Sequence, residues 1–280
     1  MEVAIEMENY QNNSKISLIF VTIKNKRIPC GYYFVDENAP LIIDFHGGNF
    51  QYGDMFVDHK LCEQISIKCN CNVISISNGD LEGSQFPEAI NQSITMIEEI
   101  YNDKKLEYDR ERIYLMGQES GGNFALTCML NNTQIHFSGL ILNYPFLNMI
   151  KRKRKHKRFS PFNFTRNNYL KKYFKNESDR SSVLANPLLE KDKKYSLLPK
   201  VIIVVGSYDN LIEDAVELAA KLSNNNVQNQ IYEIQGAIPE FLDFVSSNTC
   251  LTSPTLSKKR KAKQIDYFNK TIEIIKDFIH

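Results

Sequence analysis

Residues 116–124, MGQESGGNF, join a short apolar run, RIYLM, to a segment of helical character, ALTCML. Strand, glycine-bracketed sharp turn, helix: this succession is the repeating unit of an α/β sheet. Outward from it the same unit recurs. Upstream, PLIIDFHGG is a continuous apolar run ending in glycines, HKLCEQISIKCN places Leu61, Ile65 and Cys69 on one helical face, and NVISIS is another short strand. FPEAINQSITMIEEIYN carries Pro87 near its first turn and Ile90, Ile94, Ile97 and Ile100 on one side, which predicts a helix. Downstream come strand SGLILNYP, strand KVIIVVGSYDN, helix LIEDAVELAAKLSN and strand QNQIYEIQG. The last helix has Ile265, Phe268, Ile272, Ile275 and Ile279 on one face.

Two runs of β character, KISLIFVTIKN and IPCGYYFVDE, precede these units and predict a hairpin. Strands that are apolar throughout, alternating with helices, predict a mostly parallel sheet covered on both faces. From 146 to about 195 the pattern breaks into basic, aromatic and polar residues. The expected organisation is one domain over 1–280, with 146–195 inserted as a cap above the strand C-termini, where open α/β sheets bind ligands.

Composition bounds the function classes. The chain has 280 residues, 42% of them hydrophobic, enough for a substantial core, and a formal net charge of +1 that gives no global pull toward polyanions. The N-terminal MEVAIEMENYQ lacks the apolar stretch of a secretory signal, and no segment approaches ~18 consecutive apolar residues. A cytoplasmic protein is expected. No C-x-x-C pair occurs among the six cysteines, so they read as reduced, buried apolar residues; no metal and no cofactor is expected.

Five ordered segments resemble the hormone-sensitive-lipase (esterase-like) group of α/β-hydrolases. DFHGGNF is similar to that group's H-G-G-G-F motif, and DRERIYLMGQESGGNFAL to its nucleophile-elbow segment. FPEAI, NPLL and GSYDNLIEDA are similar to three further motifs, the last of them carrying the triad's acid. The resemblance runs from about residue 15 to the end; the group's long N-terminal cap has no counterpart. It implies an α/β-hydrolase fold and carboxyl-ester hydrolysis, in which a serine on a strained turn attacks, a histidine takes its proton, and backbone N–H groups stabilise the oxyanion.

Carried over residue by residue, the resemblance puts the oxyanion hole at Gly47, Gly48 and the N–H of Ser120, with Asn49 replacing the next glycine, and the acid at Asp209. The nucleophile position is Glu119, and the histidine position, in QGAIPEFLDF, is Pro239. Two escapes keep catalysis alive. Ser120 could attack, although Gln118 then replaces the elbow's first glycine; or Glu119 could attack, although none of His46, His59, His136, His156 and His280 stands where the base belongs. A glutamate at the apex is open to two explanations: its carboxylate fills the oxyanion hole, or the position has drifted.

Two basic runs remain, KRKRKHKR (151–158) and KKRKAK (258–263). They read as solvated loops, or as nuclear-import, nucleic-acid or anionic-surface elements. The expectation is thus a non-catalytic protein that binds a small apolar or ester-like molecule or a protein partner, with a weak or altered ester hydrolase as the alternative.

Overall fold

The computed structural model describes residues 5–9, 16–50, 53–77, 85–132, 134–150, 162–246 and 257–280, the side chains of 6–9 and 162–167 excepted. The strands are β1 (Ile5–Asn9), β2 (Ile16–Ile23), β3 (Lys26–Tyr33), β4 (Pro40–Phe45), β5 (Asn72–Ile76), β6 (Asp109–Gln118), β7 (Gly139–Asn143), β8 (Val201–Gly206) and β9 (Asn229–Ile234). They form one sheet in the order β1-β2-β3-β5-β4-β6-β7-β8-β9. β1, β2 and β3 pair antiparallel; from β5 to β9 every pairing is parallel. The parallel part has the crossover helices on its faces that such strands require.

The helices are α1 (His59–Cys69), α2 (Glu88–Asn102), α3 (Ser120–Asn131), α4 (Phe162–Tyr173), α5 (Asp192–Tyr195), α6 (Ile212–Asn224), α7 (Asp243–Ser246) and α8 (Lys258–Ile279). α1, α7 and α8 pack together, while α2 lies against α3, which covers β4, β6 and β7. The central strands are apolar because they are covered on both sides: β4, β5, β7 and β8 are buried along their whole lengths. The architecture is a mostly parallel sheet with helices on its faces, as the alternation of elements predicts.

Two details depart from expectation, β1 and the start of the apolar face of α8. β1 is a strand although the sequence reading assigned none there; its Ile5–Glu8 alternation suits an edge strand pairing with β2. Helix α3 starts at Ser120, directly at the elbow. Ile265 is 43% exposed, so the apolar face of α8 begins two residues later at Tyr267. His280 Nε2 lies 2.8 Å from the Cys69 carbonyl oxygen, closing α8 onto the end of α1.

Segment 146–195 carries α4, two 3-10 turns (177–181 and 187–189) and α5 between β7 and β8. The basic run 151–158 lies outside the described residues, as does Cys250; the second run, 258–263, forms the exposed first turns of α8. Cys30, Cys62, Cys69, Cys71 and Cys128 are free thiols and buried. Among the described residues no helix is long and apolar enough to cross a membrane.

Candidate active site

The turn between β6 and α3 is built by backbone crowding. A Cβ on Gly117 would sit 2.3 Å from the Gly121 carbonyl oxygen, and one on Gly121 would sit 1.9 Å from the Phe45 carbonyl oxygen. Only glycine lets the strand, the turn and the neighbouring β4 approach so closely. The residue at the apex is Glu119, held at φ 49° and ψ −111°, a conformation that costs a non-glycine residue of the order of 1–3 kcal/mol. Its backbone is pinned on both sides. The Glu119 N–H donates to the Asn143 carbonyl (3.1 Å), and its own carbonyl accepts from the N–H groups of Gly122 (3.2 Å) and Phe146 (2.9 Å). Ser120, first residue of α3, is 1% exposed.

The loop after β4 faces this apex. Gly48 takes φ 134°, and Asn49 and Phe50 take φ 54° and 64°. Asparagine tolerates the left-handed region better than most residues, so its replacement of a glycine leaves the loop feasible. The Asn49 N–H donates to Glu119 Oε2 at 2.9 Å. The donor is thus one residue beyond the two glycines expected from the sequence, and the carboxylate points at the loop.

Phe50, the next residue, stacks on Tyr173 of α4 at 4.9 Å and lies 5.8 Å from the Phe124 ring of α3. Asn123 Nδ2 donates to the carbonyls of Phe146 and Ala185. The inserted segment therefore packs directly on the elbow helix.

Asp209 follows β8 and is 4% exposed; its Oδ1 accepts from the Leu211 N–H at 2.9 Å. Its loop is strapped to the turn after β9: the Tyr208 N–H donates to the Ala237 carbonyl, and the Gly236 N–H to Ser207 Oγ. Pro239 lies in that turn, before Glu240, which takes φ 57°. Phe241 beyond it is fully buried between Tyr144 and Tyr267.

The histidines serve elsewhere. His46 Nδ1 is 2.6 Å from the Gly47 carbonyl oxygen, and His59 Nδ1 is 3.0 Å from Tyr33 Oη. His136 is exposed, His280 sits on Cys69, and His156 is outside the described residues.

A set of acids with no place in the expected triad lies beside the apex. Tyr144 Oη donates to Asp243 Oδ1 at 3.1 Å. Burial, with the charges of Glu240 and Glu119, pushes the Asp243 carboxyl up to about 7, against the pull of that hydrogen bond. Deeper, Gln118 Nε2 donates to both Asp44 Oδ1 (2.8 Å) and Asp58 Oδ2 (2.9 Å). Burial pushes both carboxyls up, Asp58 the more strongly because the charges of Asp44 and Asp243 act on it. The available signal was polar residues, Asp44 and Gln118, near the ends of otherwise apolar strands. Among the described residues no group of three or more His, Cys, Asp or Glu could hold a metal ion.

The family model for the alpha/beta hydrolase fold matches residues 42–243. An arylesterase of Saccharolobus solfataricus is 26% identical over 213 residues, covering 73% of this chain and 69% of its own. An esterase of Fusarium pseudograminearum is 22% identical over 217 residues, with 74% and 67% covered. Among solved structures, a thermophilic carboxylesterase from a metagenomic library superposes with a TM-score of 0.78 at 18% identity, covering 100% of this chain and 92% of its own. An esterase of Pyrobaculum calidifontis superposes with a TM-score of 0.74, also at 18%, with 93% and 86% covered.

Proposed function

The chain belongs to the alpha/beta hydrolase fold family, and from that premise we propose that it is a non-catalytic member whose site binds a small apolar or ester-like molecule or a protein partner. One observation carries the reading: the 2.9 Å hydrogen bond from the Asn49 N–H to Glu119 Oε2. In an esterase of this fold, N–H groups of that loop stabilise the negative oxygen that develops as the ester is attacked. Here a resident carboxylate already takes that donor. It also repels a second developing negative charge, and it stands where the attacking hydroxyl belongs. Proline at the histidine position leaves no imidazole to move a proton. Removal of a serine nucleophile alone costs a triad enzyme on the order of 10⁶ in turnover, and loss of the base adds little because the parts act as a unit. Function follows the site rather than the fold.

The test is turnover of a short-chain p-nitrophenyl ester, together with labelling by a serine-reactive fluorophosphonate. The proposal expects background rates and no label; stoichiometric labelling would overturn it.

A weak hydrolase using Ser120 or Glu119 is the alternative, and Asp243 favours its Glu119 form. A carboxyl held at about 7 within reach of the Glu119 charge lies in the range of a general base. Asp243→Asn would abolish turnover on that scheme and change nothing on ours.

The proposed setting is the cytoplasm, with the nucleus as the variant raised by the basic runs. Alanines at Lys151–Arg154 redistribute a fluorescent fusion if that run acts as an import signal, and leave it in place otherwise.

A further inference from the structure

The inserted segment holds a cation that its own surroundings do not neutralise. Arg180, in the 3-10 turn 177–181, is 7% exposed, and among the described residues no other lysine or arginine is buried. Its guanidinium keeps its charge across the neutral range, and every N–H on it is a donor. None of these donors reaches a hydrogen-bond acceptor among the described residues; Nε is sealed from solvent and has no partner there. The charge meets Glu177 and Phe174 instead. Glu177 Oε1 stands 3.9 Å from Nη1, past hydrogen-bond reach, on a side chain that is 79% exposed. The Phe174 ring centroid is 5.7 Å from Cζ, near the outer limit of a cation–π contact.

The turn is not short of acid, but its acid is aimed elsewhere. Asp179 closes a capping box, its Oδ2 accepting from the Asn176 N–H (3.4 Å) and from Asn176 Nδ2 (3.3 Å). A buried ion is costly unless it is paired and hydrogen-bonded, so an arginine this deep with no acceptor calls for an anion from outside the chain. The guanidinium fork fits a planar carboxylate through parallel N–H···O bonds. It balances a single negative charge, whereas a phosphate group carries about two at neutral pH. The platform beside it is apolar: the Phe174 ring lies 5.1 Å from Phe86 and 4.9 Å from Tyr173. That platform is fixed, since the Phe86 N–H donates to the Tyr173 carbonyl (3.0 Å) and Gln85 Nε2 to the Lys172 carbonyl (2.9 Å). A charge at the edge of a fixed aromatic cluster selects a ligand whose remainder is apolar.

We propose that Arg180 anchors a second binding site, on the inserted segment, which takes a small organic acid: the carboxylate on the guanidinium and the apolar body against Phe174. A side chain so nearly buried admits a small molecule and not the surface of a folded partner. The site is separate from the Glu119 apex, with the rings of Phe174, Tyr173 and Phe50 standing in succession between them, each 4.9 Å from the next. The inference rests neither on inactivity nor on the Glu119–Asn49 contact. A chain that hydrolyses esters would sink the proposed function and leave this site standing.

The test titrates the full chain with benzoate, with benzyl alcohol, which has the same ring and no charge, and with inorganic phosphate. Benzoate should raise Tm with its concentration and shift the Arg180 Nε–H resonance. Benzyl alcohol and phosphate should do neither at the same concentrations. Arg180→Met keeps an apolar stem beside Phe174 and removes the charge, and it should abolish the response to benzoate. Arg180→Lys keeps the charge and loses the fork, and it should weaken benzoate binding about tenfold or more. The proposal is overturned if the wild type does not respond to benzoate, or if benzyl alcohol or phosphate binds as tightly. An equal response in Arg180→Met overturns it too. Should Arg180→Met fail to fold, Arg180→Lys decides: weakened benzoate binding supports the site, and unchanged affinity refutes it.

Discussion

Glu119→Gln keeps the side chain's shape and removes its charge, which separates its hydrogen bond to Asn49 from its repulsion of Asp243. In the wild type, burial first, then Glu240, then Glu119 hold Asp243 at about 7, against roughly 3.9 in an unfolded chain. The folded protein keeps a proton that the unfolded chain gives up. The associated stability is fully present below about pH 4 and is lost as pH rises through 7. About three units at 1.36 kcal/mol each set a ceiling of about 4 kcal/mol. Asp243 is only partly buried, and solvent screening brings the working figure to roughly 2 kcal/mol. Glu119 acts on Asp243 more weakly than Glu240 does, so removing its charge should return only about 0.5 kcal/mol at pH 8. At pH 5 Asp243 is already neutral, and the variant simply exchanges a charged acceptor on the Asn49 N–H for a neutral one, a loss of about 1 kcal/mol. The penalty should therefore shrink from about 1 to about 0.5 kcal/mol between pH 5 and 8, a few degrees in Tm at most. Urea unfolding followed by circular dichroism at four pH values measures it. A penalty that stays constant or grows with pH would refute the electrostatic link between Glu119 and Asp243.

Three other outcomes follow from the geometry. Gly121→Ala puts a methyl 1.9 Å from the Phe45 carbonyl oxygen, and soluble yield and Tm should show a loss above about 3 kcal/mol or failure to fold. Tyr144→Phe removes the hydrogen bond that holds the Asp243 carboxyl down, so the pH-dependent fall in stability should extend above 7; an unchanged profile would contradict the assignment. His280→Ala removes the contact with the Cys69 carbonyl, costing about 1 kcal/mol and speeding amide exchange in the last turn of α8.

Much of this architecture is written in local patterns. The apolar runs of β4, β5, β7 and β8 are legible because strands covered on both faces cannot alternate, and the Ile90–Ile100 stripe of α2 because a half-buried helix must. β1 was missed because its two glutamates suggested a polar terminus, whereas Ile5 and Met7 alternate with them as an edge strand allows. Ile265 fits the periodicity of α8 and is nevertheless exposed, since periodicity names a face and not where its cover begins. At the site, the turn with Glu119 at its apex is legible from glycine spacing, which reflects steric need, whereas the loop at Gly47–Gly48 is implied only by its resemblance to the esterase motif. The Asn49 donor is legible from neither, since it depends on how far the loop turns. Asp58, Tyr144 and Asp243 come from separate elements and meet only in the folded chain. No spacing rule links them.

The central claim meets its most direct test in p-nitrophenyl ester turnover by the wild type, Ser120→Ala and Glu119→Ala, assayed side by side. The account predicts rates at background for all three. Turnover by the wild type that vanishes in one variant would contradict it and identify the working residue.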